Sequence, residues 1–135
     1  MEFKVDKAIA IVLAGVLCMA CAPSVAKGKV ASAHYPKVLH GVWQADFPTC
    51  KLPGNLDSDV RIEIKPDKLI DYEQWNSPVR VIQISRSPQA WKISSRVHID
   101  ESTFDHEEIY ALSGQDNGQL TIVDGNRAIT YARCR

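Results

Sequence analysis

From Leu39 to Arg133 the chain alternates apolar and polar residues with a period of two, and that alternation limits what it can fold into. The clearest run is Trp91, Ile93, Ser95, Val97 and Ile99, interleaved with Lys92, Ser94, Arg96 and His98. In an extended chain successive side chains point to opposite faces, so such a run buries one face and wets the other. Val60, Ile62 and Ile64 alternate with Arg61, Glu63 and Lys65 in the same way. No segment after residue 26 sustains the i, i+3, i+4, i+7 apolar stripe that a core-packing helix needs. Further strands are expected over residues 41–45, 69–73, 79–84, 104–112 (with an acidic outer face), 120–123 and 128–133. Turns are expected at Pro66-Asp67, Asn76-Ser77-Pro78, Ser87-Pro88, 114–118 and Asp124-Gly125, where proline, glycine, asparagine and aspartate supply turn geometry. The pattern predicts an all-β domain of about eight short antiparallel strands. Closure into a small barrel would remove the exposed edges; a two-sheet sandwich is the alternative.

The N-terminus has a different grammar. Charged residues up to Lys7 precede an apolar run from Ala8 to Ala22, shorter than the roughly 20 residues a membrane-crossing helix needs. Ser24-Val25-Ala26 then fits the small-x-small rule for signal cleavage, so residues 1–26 read as a signal peptide and Lys27 as the first mature residue. The other route to export is a lipid anchor on Cys21. Residues 27–38 show no period and read as a flexible tether, with the barrel domain over 39–135. The expected location is the periplasm or the medium. There Cys50 and Cys134, the cysteines that survive cleavage, are most simply a disulfide. It would close a loop of roughly 85 residues and constrain the unfolded chain by about 4 kcal/mol. No Cys-x-x-Cys follows residue 26, which argues against a redox enzyme. The formal net charge is zero, and it stays so after cleavage because Glu2 and Asp6 offset Lys4 and Lys7. Such a chain has no electrostatic attraction for nucleic acid or anionic membranes.

Gly41-x-Trp43 at the start of the first strand resembles the opening motif of lipocalin-like barrels. The resemblance implies that Gly41 lets the chain bend, that Trp43 plugs the closed end, and that Arg133 from the last strand stacks on it. Gly-x-Trp followed by a cysteine is also similar to small periplasmic inhibitors of secreted bacterial metalloproteases. Both cysteines lie early in that barrel, whereas here the second is at the C-terminus. Over residues 39–134 the chain resembles small exported bacterial proteins of unassigned function, through Gly-x-Trp, Cys50, Tyr72-Glu73 and Tyr131-x-Arg133-Cys134. These motifs imply a fold and bear on packing.

Chemistry is scarce. His106-Glu107-Glu108-Ile109-Tyr110 lacks the second histidine of a zinc-protease helix. On a strand, His106 and Glu108 share one face and Asp105 and Glu107 the other, and two donors do not complete a zinc site. Asp57-Ser58-Asp59 lacks the frame of a calcium loop and suits a turn. No metal and no cofactor are therefore expected. No Gly-x-Ser-x-Gly elbow accompanies His34, His40, His98 or His106, so no catalytic set is identified. The unusual feature is the connection 46–59, long for a compact domain and stiffened by Pro48, Cys50 and Pro53. Phe47, Lys51, Leu52 and Leu56 on it, with Trp75 beside a turn, are the expected partner contacts; the competing use of the loop is to cap one barrel end. Trp91 belongs to the core. The sequence thus points to an exported, non-catalytic module that engages another protein, in the manner of an inhibitor or immunity factor. A lipocalin-type carrier of a small apolar ligand, and an enzyme without a recognisable motif built on His98 or His106, are the alternatives.

Overall fold

The computed structural model describes residues 33–46 and 48–135; the expected signal peptide, Cys21 and Phe47 lie outside them. Eight antiparallel strands close into a barrel in sequence order, which decides between barrel and sandwich. They are β1 (Gly41–Gln44), β2 (Arg61–Ile64), β3 (Leu69–Ile70), β4 (Gln74–Arg86), β5 (Gln89–Ile99), β6 (Ser102–Ser113), β7 (Gln119–Val123) and β8 (Ala128–Arg133). The inward residues are those that the alternation selects: Ile62 and Ile64 on β2, Trp91, Ile93 and Val97 on β5, Tyr110 and Leu112 on β6, and Leu120 on β7 are buried.

Two expectations need correction. Asn76-Ser77-Pro78 is not a turn but the start of β4, and the expected strand over 69–73 shrinks to Leu69–Ile70. The chain reverses instead at Asp71–Gln74, closed by the Asp71 N–H donating to the Gln74 carbonyl at 2.9 Å. Proline fits β4 because β3 pairs only with Trp75 and Asn76, so the rest of β4 has no strand partner on that side among the described residues. A bulge between Pro78 and Arg80 takes up the irregularity. The second correction concerns residues 27–38. Tyr35, placed in the tether by its lack of periodicity, is 2% exposed and packs among the core residues. Its N–H donates to the Pro66 carbonyl at 2.8 Å, and its hydroxyl lies 3.2 Å from Ser95 Oγ. A single 3-10 turn, Lys37–Leu39, then buries Leu39 beneath Trp43 and leads into β1.

The barrel closes where β1 meets β8, with Trp43 opposite Arg133 and Gln44 opposite Ala132. The fully buried Trp43 donates its indole N–H to the Leu39 carbonyl at 2.9 Å. The Arg133 guanidinium sits 4.0 Å from the Trp43 ring centroid and donates to the carbonyls of Val38 at 2.6 Å, His40 at 2.9 Å and Asn117 at 3.4 Å. Gly41 has φ +134°, and a Cβ there would sit 3.4 Å from Arg133 Nη1. Arg133 is thus packed over Trp43, with Gly41 close to its guanidinium.

The Cys50–Cys134 disulfide forms across 84 residues of sequence, with the Cα atoms 4.3 Å apart. Beside it the Arg135 N–H donates to the Cys50 carbonyl at 3.1 Å and the Leu52 N–H to the Arg135 carbonyl at 3.2 Å. Replacing both cysteines by serine in the full chain is expected to remove about 4 kcal/mol of stability through the larger entropy of the unfolded chain, read from urea unfolding. Arg133→Lys keeps the charge and loses the fork, and is expected to cost about 2–3 kcal/mol in the same assay.

Candidate functional site

The connection 46–59 is held from beneath by Gln44, a buried glutamine at the end of β1. Its Oε1 accepts the Asn55 N–H at 2.7 Å, and its Nε2 donates to Asp46 Oδ2 at 3.2 Å. Asp46 Oδ2 also accepts the Ser58 hydroxyl at 2.9 Å, and Arg61 Nε donates to the Pro53 carbonyl at 2.9 Å. Gly54, at φ +78°, admits this crowding: a Cβ there would lie 3.0 Å from Gln44 Oε1 and 3.3 Å from Arg61 Nε. With the disulfide at residue 50, the loop is anchored at several points along its length.

Leu52 and Leu56 do not fold back over the barrel. They are 60% and 67% exposed, and Lys51 is exposed beside them. Apolar side chains fixed in water by a rigid support are the usual makings of a contact surface. Trp75 is elsewhere, on the β3–β4 hairpin. It is 37% exposed, its ring stacks on His98 at 3.6 Å, and Lys68 Nζ stands 4.3 Å from the ring centroid. The loop residues thus come together and Trp75 does not join them. The structure also exposes Val79, Ile82 and Ile84 on β4, which the sequence reading did not select. Their signal is the near-continuous apolar run Val79-Arg80-Val81-Ile82-Gln83-Ile84, too apolar for a strand with one wet face.

A second cluster lies at the barrel mouth, in a recess of about 40 Å³ whose walls include Asp71, Gln74, Asn76, Glu108, Asp124 and Arg127. Ligand pockets for small molecules usually measure roughly 300–1,000 Å³, so the interior favours a packed barrel over a carrier. Burial is the main cause that holds the carboxyls of Asp71 and Glu108 above the usual carboxylate range, against the Tyr72 N–H on Asp71 and the Tyr110 hydroxyl on Glu108. Burial likewise pushes the Tyr131 hydroxyl up to about 12. The outer face of β6 differs. Glu107 pairs with Lys92 at 2.7 Å and Asp105 with Arg96 at 3.0 Å, so the expected acidic face is neutralised by β5. His106 and Glu108 do share the opposite face, with His106 Nε2 3.7 Å from Glu108 Oε1. Asp124 joins them from the β7–β8 turn, a residue the sequence reading gave to turn chemistry alone. Because β7 pairs Val123 with Ile109, the next residue along falls beside Glu108. His98, the other histidine considered for chemistry, is committed to Trp75. Among the described residues no serine, threonine or cysteine lines the two recesses at His106, Glu108 and Asp124, and Ser95, opposite His106 across the β5–β6 ladder, is engaged with the Tyr35 hydroxyl.

Comparison with protein-family models, with curated proteins and with solved structures found no match.

Asp71 gives the mouth a pH signature. Its folded-state pKa is raised above the unfolded value, so the ionised carboxylate opposes folding at neutral pH. That opposition fades as the pH falls through the folded-state pKa toward the ordinary value of 3.8. Asp71→Asn is expected to raise the midpoint of thermal unfolding at pH 7, with a gain that shrinks steadily on acidification to pH 4. A gain independent of pH would point to packing instead.

Proposed function

We propose that the protein is an exported, non-catalytic binding module that engages another protein through the 46–59 loop. The observation that carries this reading is the pair Leu52 and Leu56, standing in water on a loop clamped by Gln44, Arg61 and the Cys50–Cys134 disulfide. A loop already fixed before binding loses little conformational entropy when a partner covers it. The partner that fits is an exported protein with an apolar pocket able to take two leucine side chains, beside an acidic group facing Lys51. Inhibition or immunity are the roles that suit a small rigid scaffold with such a loop.

The disulfide fits an oxidising compartment, and among the described residues no helix is long and apolar enough to cross a membrane. The finer location follows from the sequence: release into the periplasm or medium after Ala26, with a lipid anchor on Cys21 as the other route. Mass spectrometry of the mature N-terminus separates the two.

The test is affinity capture from periplasmic extract with the protein produced from the full chain, the parent beside a Leu52→Asp/Leu56→Asp variant and an Ile82→Lys/Ile84→Lys variant. A specific partner retained by the parent and the β4 variant, and lost at least tenfold by the loop variant, is expected. Loss with the β4 variant alone would move the contact surface to the open edge of β4. If no protein is retained and organic extraction yields a bound lipid, the carrier reading replaces this one.

A further inference from the structure

We propose that the barrel mouth is a binding site for a single first-row divalent metal ion of the zinc type, held by His106, Glu108 and Asp124. One donor atom from each of the three lies within 4.8 Å of the other two. They come from two separate hairpins, so no local sequence preference brings them together. The inference stands apart from the loop and would survive the failure of the protein-binding reading.

Each ligand is held by a neighbour. Glu108 Oε2 accepts the hydroxyl of the fully buried Tyr110 at 2.8 Å, which leaves Oε1 toward His106. Asp124 Oδ1 accepts the N–H groups of Asn126 at 2.7 Å and Arg127 at 2.9 Å, which fixes the carboxylate in the turn and leaves Oδ2 for a cation. Supporting bonds of this kind orient metal ligands in protein sites. At present Oδ2 accepts only from Arg127 Nε at 3.3 Å, and that arginine is 70% exposed, able to swing into solvent when an ion arrives.

An independent sign of a ligand comes from Asn76. Its side chain is 3% exposed and lines the recess that Glu108 and Asp124 also line, and its Oδ1 has no hydrogen-bond partner among the described residues. A buried amide oxygen left unpaired costs about 1–3 kcal/mol, and native structures rarely keep one without a purpose. Water on the open coordination position of a metal ion would donate to it. His106 lines a neighbouring recess that shares Gln74, Glu108, Asp124 and Arg127 with the one Asn76 lines, so the two carboxylates stand on the wall common to both.

The donor set selects the ion. One imidazole and two carboxylates, with an open position, match zinc and its neighbours in the first transition row. Calcium and magnesium prefer shells made wholly of oxygen, which makes the His106 imidazole the donor that favours a first-row transition ion. Two carboxylates also balance the ion's double charge.

The test is isothermal titration of zinc chloride into the protein produced from the full chain, with calcium and magnesium chloride as comparisons. The expected result is saturable uptake of one zinc ion per chain, weakened at least tenfold in His106→Ala and in Asp124→Asn and unchanged in His98→Ala. Thermal unfolding provides a second reading, since zinc should raise the midpoint of the parent and leave that of His106→Ala where it was. Near-ultraviolet dichroism matching the parent certifies that each variant is folded, and His106→Gln replaces His106→Ala if it is not. Absence of saturable zinc uptake by the parent, parental affinity in His106→Ala and Asp124→Asn, loss of binding in His98→Ala, or preference for calcium would each overturn the assignment.

Discussion

The guanidinium of Arg133 sits over the Trp43 indole and donates to the carbonyls of Val38, His40 and Asn117. Those carbonyls belong to the chain entering the barrel and to the turn that precedes β7, so one side chain from the last strand holds the start of the fold. The entering chain has few other ties: the Tyr35 N–H on Pro66, the Trp43 indole on Leu39 and the His40 ring on the Tyr35 carbonyl are the main ones. Without the fork, Leu39 and Tyr35 would have little to keep them beneath the sheet, and the core would open at its plugged end. The disulfide alone could not replace it, because Cys50 ties the C-terminus to the loop after β1 rather than to the plug.

The interior changes character along its axis. Trp43, Leu39, Tyr35, Ile93, Leu112 and Leu120 fill the middle and the plugged end with apolar side chains. Toward the mouth the inward residues turn polar, through Ser95, Asn76 and Glu108. Polar groups facing inward are costly unless they are paired, yet here several carboxyls crowd together, two of them held above their ordinary range. The outside of the same strands is plainly economical, with each acid of β6 set against a base of β5. The inward-facing carboxyls therefore gather at the mouth, and that is where a cation would matter.

The strands were legible because each obeys one local rule: Trp91, Ile93 and Val97 declare their face by spacing alone. The disulfide was legible by compartment and by its place after the first and last strands. Asn76-Ser77-Pro78 misled because turn-forming residues are also tolerated on an edge, and nothing local says that β3 is only two residues long. Tyr35 sits among residues with no period, since it plugs the barrel as a single side chain rather than lining it as part of a strand. Gln44 and Asp124 were invisible for a different reason. Their importance lies in what they reach, Asn55 in one case and Glu108 in the other, and such pairings depend on register and closure that no window of sequence contains.

The closure has an order built into it. A ribosome delivers the plug and β1 before the other strands, and Arg133 and Cys134 only after the rest of the barrel. Seven strands must wait, with the Trp43 seam unsealed and the Cys50 thiol unpaired, until β8 and Cys134 have cleared the machinery that makes or moves the chain. Pairing between the two ends of a polypeptide is the slowest kind of contact to find. Termination of the chain just before Arg133 would therefore remove both the sulfur and the guanidinium and leave an open sheet, although nearly all of the core would have been synthesised.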